Sequence, residues 1–238
     1  MAATTPRARA RAQTMADILR IGREHLAVHG AAALSLRAVA RDLGVVSSAV
    51  YRYVANRDEL LTLLVVDAYE ELGNAVDNAV VVVDPHDAPE RFRALARAVR
   101  RWALREPARY ALLFGSPVPG YRAPAERTTE PGTRVVTRLV EILTSAYADG
   151  TLRLPEPDGI PGSLHADLDR IRSETGTDLP DAALARGILL WSSLFGAVSF
   201  EVFGQYGENT FAAPDDLFEH HLTVLAETVG LTAAPPKS

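Results

Sequence analysis

"SLRAVARDLGVVSSAVYRYVANRDELL", residues 35–61, decides how the rest of the chain is read. Leu36, Val39, Ala40 and Leu43 fall at i, i+3, i+4 and i+7, one face of a helix with Ser35 as N-cap and Gly44 as its stop. A second helix, over about 47–53, is too short to persist alone in water. Its place must come from packing Val45, Val50 and Val54 onto helices at 14–29 and 36–43. That leaves Ser47, Ser48, Ala49, Tyr51, Arg52 and Tyr53 facing outward or at the rim. Small residues let a helix enter a groove closely, while tyrosine and arginine donate to phosphates and base edges. These are the needs of a recognition helix in a DNA major groove. A small helical subdomain with a polar surface fits the same periodicity.

Arg57 bears on the choice. Asn56 caps the next helix, with Glu59 in the reciprocal third position, and Arg57 stands at the first. A cation there opposes the positive end of the helix dipole, which makes sense if a phosphate docks at that helix start. The charge distribution agrees. The 238 residues carry a net −5, yet residues 1–60 hold nine arginines against five acids, while the remainder holds sixteen basic and twenty-five acidic groups. The chain reads as a basic head on an acidic body.

Helical periodicity runs through nearly all of the sequence, and no run alternates as a strand would. Helices are expected over 14–29 (Ile18, Ile21, Leu26 and Ala27 inward, Gly30 the stop), 56–83, 88–105 (Phe92, Leu95, Ala96, Val99 and Trp102 inward), 107–114, 125–149, 164–174, 181–203 and 214–230. The loop "GSPVPGYRAP" (115–124) is too rich in proline and glycine for regular structure.

Residues 14–61 closely resemble the DNA-binding domain of the TetR family of transcriptional regulators, through the Leu-Gly-Val turn, Tyr51, and Asn-Arg-Asp before Leu60 and Leu61. The resemblance implies base contacts from Arg37 and from Ser47, Ser48 and Ala49, and backbone contacts from Ser35, Tyr51, Tyr53 and Arg57. Arg52 falls where the family varies and would touch bases or phosphate. Two departures stand out: family members usually have serine at Val46, capping the recognition helix, and often glycine or proline at Ser48. Here Ser47 is expected to cap, with the helix starting one residue late. "REPARYALLFGSPVPGY" (105–121) and "WSSLFGAVSFEVFGQYG" (191–207) are similar to a TetR subgroup with a Trp-x4-Gly type C-terminal domain, a looser likeness of helices and aromatics over 88–230.

The fold class that follows is all-α: a three-helix helix-turn-helix head at 14–60 and a helical ligand-binding and dimerisation body at 61–230. A flexible basic arm, 1–13, precedes them and a disordered tail, 231–238, follows. Trp102, Tyr110, Phe114, Tyr121, Trp191 and Phe195 would line an effector cavity or else form core. Loop 115–124 would be its mobile lid, and the helix from Arg57 the lever to the head. Phe218, Leu222, Leu225 and Val229 make a seam of 4-3-4 spacing. With Gly187, Ser192, Gly196 and Ser199, small enough for close approach, they suggest a four-helix bundle across a homodimer axis. The partners are then a duplex DNA operator, a small largely apolar or aromatic effector and a second copy, with no membrane and no cofactor.

Other chemistry is set aside. There are no cysteines, so no disulfide or thiolate site, as suits a cytoplasmic protein. Arg7, Arg9 and Arg11 precede no apolar run, so a secretory signal is not expected. The apolar window 187–200 is too short to span a bilayer. His25 and His29 have i, i+4 spacing but lack a third metal ligand, and "HADLD" (165–169) reads as a solvated turn. Arg100, Arg101 and Arg105 read as a solvent face, or as an inward cation for an acidic ligand. No nucleophile elbow, phosphate loop or dinucleotide pattern occurs, and Ser192 and Ser193 have no base. An enzyme is not expected; the alternative is a helical enzyme or scaffold whose head only resembles a DNA reader.

Overall fold

The computed structural model describes residues 5–155 and 159–231, which form ten α-helices, two short 3-10 turns and no strand. The helices are α1 (Pro6–His29), α2 (Leu36–Asp42), α3 (Ser47–Tyr51), α4 (Arg57–Val80), α5 (Ala88–Arg105), α6 (Pro107–Phe114), α7 (Ala125–Ala148), α8 (His165–Thr175), α9 (Asp181–Val202) and α10 (Pro214–Val229). The chain divides into two compact units, Met1–Glu71 with Glu106–Gly132, and Leu72–Arg105 with Thr133–Ser238. A single cut near residue 60 therefore does not describe it, because 106–132 joins the head.

In the first unit, Ile18, Ile21, Leu34, Leu36, Val39, Ala40, Val50, Val54, Leu60, Leu61 and Leu64 form one buried cluster. Gly30 and Gly44 end their helices at φ +73° and +72°, a left-handed backbone that glycine adopts without cost. Ala27 and Val45, expected inside, are exposed. The basic arm is not a separate coil from Pro6 onward. Pro6 stands at the first position of α1, and the Thr5 hydroxyl accepts from the Ala8 N–H at 3.2 Å. Residues 1–4 and 232–238 lie outside the described residues, as do 156–158. Leu231, assigned to the tail from sequence, is buried and pairs with Leu152.

In the second unit, Phe92, Leu95, Ala96, Val99 and Trp102 of α5 are wholly buried. Helix α9 packs on α5, α8 and α10, and α10 also packs on α5. Arg97 grips both carboxylate oxygens of Glu219 at 2.7 Å, and Arg100 both of Glu201 at 2.6 Å. Arg100 also pairs with Asp215 and lies 4.9 Å from the Phe218 ring centroid, so it is a structural cation rather than part of a solvent face. At 22 residues α9 is, by length and composition alone, long enough to cross a bilayer. The window 187–200 underestimated it. One side of the helix is nevertheless committed to the unit, through Leu190, Leu194 and Val198.

The seam on α10 needs correction. Phe218, Leu222 and Val229 are buried within the protomer, so they form the inner face of the helix and are not available to a second copy. Gly187 likewise faces inward, where an added Cβ would lie 2.9 Å from Leu143 of α7. Leu222→Arg is therefore expected to destabilise the protomer by about 4 kcal/mol or more, since it buries an unpaired charge. Circular dichroism should show a lowered melting transition; a folded monomer of unchanged stability would contradict the placement.

Candidate nucleic-acid interface

Helix α3 is five residues long, and its orientation is set by Val50 and Val54, both buried without remainder. Around them Ser48, Tyr51 and Arg52 are exposed, while Ser47, Ala49 and Tyr53 lie at the rim. Arg37, on α2, is exposed and Ser35 half-buried. Val46 takes the N-cap position with no side-chain cap, and α3 begins at Ser47. Ser47 is thus a first-turn residue rather than a cap. Ser35 also holds its cap position without a side-chain hydrogen bond.

Asn56 does cap α4: its Oδ1 accepts from the Glu59 N–H at 2.8 Å. The Glu59 carboxylate does not complete a reciprocal box; it accepts from Arg127 at 2.7 Å. Arg57 is turned back on the protein. Its Nη2 donates to the carbonyls of Ala31 at 2.9 Å and Ala32 at 3.2 Å, tying the start of α4 to the turn after α1. Its sequence position invited a phosphate role, but its hydrogen bonds in this structure are internal. Behind the interface, His25 Nε2 lies 2.6 Å from Asp42 Oδ2, joining α1 to α2. That hydrogen bond leads the effects holding the Asp42 carboxyl below its usual range.

The first turns of α1 extend the basic surface. Arg7, Arg9 and Arg11 are exposed, and no acid stands in the first turn. Arg7, Arg11 and Met15 share one helix stripe, and Met15 packs on the core of the first unit. The Arg11 guanidinium lies 5.1 Å from the Tyr53 ring centroid, beside the end of α3.

The aromatic candidates separate. Trp102 and Tyr110 have no exposed surface, so no water-sized space touches them and they are core. Phe114 packs against Tyr110 and Tyr69 with centroids 5.0 and 6.2 Å apart, and stays partly open. Trp191 and Phe195 stack at 4.2 Å in the second unit. Tyr121 is fixed rather than carried on a free lid: its hydroxyl lies 3.0 Å from Thr62 Oγ1, and its ring and Val118 pack on the first unit's core. Sequence reading missed the buried Arg109, which donates to Asp67 at 2.8 Å and to Glu71 at 2.5 Å. Its only signal was a cation on the apolar helix 107–114.

Two family profiles match, one described as bacterial regulatory proteins of the tetR family over residues 18–64, the other as a tetracyclin repressor-like C-terminal domain over 92–225. HTH-type transcriptional regulators of Mycobacterium tuberculosis and Mycobacterium bovis are 48% identical over 216 residues, covering 91% of this chain and 92% of theirs. A solved regulatory protein, SCO4313, is 37% identical with a TM-score of 0.77, covering 94% of this chain and 100% of that one. RolR, solved with resorcinol bound, shares the fold at 17% identity and a TM-score of 0.54, over 97% of this chain and 98% of its own.

Arg57→Ala is expected to lower head stability by about 1–3 kcal/mol, through the two lost carbonyl contacts. Arg57→Lys should restore only part of it, since an ammonium lacks the fork. Unchanged melting of both variants would contradict the internal role.

Proposed function

The chain belongs to the TetR family of bacterial transcriptional regulators, and we propose that it is a homodimeric repressor of a palindromic duplex operator, released by a small apolar or aromatic effector in the cytoplasm. One observation carries the DNA half of this reading. Val50 and Val54 are spent entirely on holding α3, and the residues left outside are Ser48, Tyr51 and Arg52. Arg37 and the Ser47–Ala49 tip would meet base edges, while Ser35, Tyr51, Arg52 and Tyr53 would bind the backbone. Arg57 would fasten α4 behind them. Arg7, Arg9 and Arg11 would add backbone contacts beside the α3 end.

The dimer half rests on a stripe other than the buried one. Leu189, Ser193, Gly196 and Phe200 of α9 and Phe203 at its C-cap recur at 4-3-4-3 spacing. Leu189, Phe200 and Phe203 are exposed, as is Val224 on α10. Ser193, Gly196, Phe200 and Val224 border an apolar hollow of about 590 Å³, walled also by Leu225 and His221. A second copy covering this face would form a four-helix bundle. It would also set two recognition helices about 34–36 Å apart, one turn of DNA.

The effector half draws on two partly open aromatic rings, Phe114 in the first unit and Trp191, backed by the buried Phe195, in the second. RolR's resorcinol is an aromatic compound of the class proposed. Within the first unit, α6 reaches α4 through Arg109 and Asp67, and Asp67 also holds Arg23 of α1 at 2.7 Å. Displacement of α6 would thus be felt in α1 and in the head. To carry a dimer from almost all competent to almost all released, the effector must favour the released state by about 5.5 kcal/mol.

Three outcomes test the reading. Arg37→Ala should relax base preference at one operator position, costing about 1–3 kcal/mol. Gly196→Arg, placed where an added Cβ meets nothing within 4 Å, should give a folded monomer in sedimentation, and a persisting dimer would move the interface. A releasing compound should quench tryptophan fluorescence and lower operator affinity over the same concentrations, and Phe114→Ala should blunt release. Normal release from that variant would remove Phe114 from the effector site.

A further inference from the structure

The Val46 side chain leaves α3 without a cap and adds almost no burial to the first unit. It holds the N-cap position of α3, at φ −67° and ψ 144°, with no side-chain cap for the free N–H groups of that helix. Serine, threonine, aspartate and asparagine are the residues that such a position rewards. It is also 71% exposed, and Val45 beside it is 40% exposed, so two isopropyl groups stand together in water. Lone exposed apolar residues are ordinary. An apolar pair at a helix start that lacks its cap is a larger sacrifice, and Val46 is no part of the core cluster just behind it.

We propose that Val46 reads the 5-methyl group of a thymine in the operator half-site. The inference rests on the DNA-binding reading above. The first residues of a recognition helix reach the base edges, and Val46 stands immediately before Ser47 and Ser48. An isopropyl group can neither donate nor accept a hydrogen bond. Among the major-groove edges of the four bases, the thymine methyl is the apolar feature it can meet. Contact between the two removes from water the surface that Val46 exposes in the free protein. A serine at position 46 would satisfy α3 but offer the groove a hydroxyl, which does not select that methyl.

The probe is a duplex selected from a random pool by the full-length protein, with each thymine of one half-site replaced in turn by deoxyuridine. This removes the methyl and keeps the pairing. At one thymine, affinity should fall about three- to tenfold, the worth of one or two buried carbon groups. Val46→Ala should lose the same factor on the thymine duplex and nothing further on the deoxyuridine duplex. Val46→Ser separates readout from stability, since it should raise the thermal midpoint and still lower affinity for the thymine duplex. If the two losses multiply at every thymine, or no thymine is sensitive, the inference is overturned while DNA binding stands. A gain of affinity by Val46→Ser would mean that position 46 matters only as a missing cap, and would overturn it too. Failure to select any duplex would overturn the DNA-binding reading itself, and this inference with it.

Discussion

Val50 and Val54 hold a helix that cannot hold itself. Five residues close too few hydrogen bonds to offset the ordering of their backbone, so α3 exists only as far as these two valines bury against α1, α2 and the start of α4. The exposed residues of α3 are therefore as precisely placed as the core cluster behind them, which includes Ile18, Ile21, Val39, Leu60 and Leu61. Two polar ties fix the frame of that cluster. The contact between His25 and Asp42 joins α1 to α2, and Arg57 joins the start of α4 to the carbonyls after α1. Neither adds a contact to α3 itself; both hold the surface it rests on.

Charged and packed contacts likewise tie α6 to the head. Arg109 is almost wholly buried, and its charge is met by Asp67 and Glu71 of α4 and by Glu106. Removing one partner from a buried ion pair typically costs about 3–5 kcal/mol, because it strands a charge. Helix α6 cannot leave α4 cheaply, and Asp67 extends the connection to Arg23 of α1. The loop after α6 is held as well, by Tyr121 on Thr62. Gly132 lies so close to the Tyr69 ring that an added Cβ would come within 3.3 Å of it. A ligand that moved α6 would thus move packed and charged elements together, as two-state switching requires.

Much of this was legible in the sequence because helices announce their ends. Gly30, Gly44 and Asn56 bound elements where expected, and the apolar stripe of α5 admits only one inner face. The head was legible for the same reason: alternating commitments in 35–61 leave few ways to pack it. What escaped reading was which of two apolar stripes on one helix meets the helix's own protomer. Helix α10 carries Phe218, Leu222 and Val229 on one side and exposed Val224 on another, and periodicity gives both without ranking them. Arg57 escaped because its acceptors, Ala31 and Ala32, lie 26 and 25 residues away and are backbone carbonyls. Trp102 and Tyr110 could line a cavity or fill it on spacing alone; burial alone separates the two. The arm was expected to be flexible, yet arginine is a good helix former and Thr5 with Pro6 starts the helix.

The central claim is that α3, carried in pairs, reads duplex DNA. Hydroxyl-radical footprinting of the full-length protein on a duplex selected from a random pool tests it most directly. Two protected patches are expected on one face of the duplex, related by two-fold symmetry, with centres about one helical turn or a multiple of it apart. Protection of a single unsymmetric patch would contradict the dimer. Failure of any duplex to be enriched, by protein that is folded and dimeric, would contradict the reading of α3 as a recognition helix.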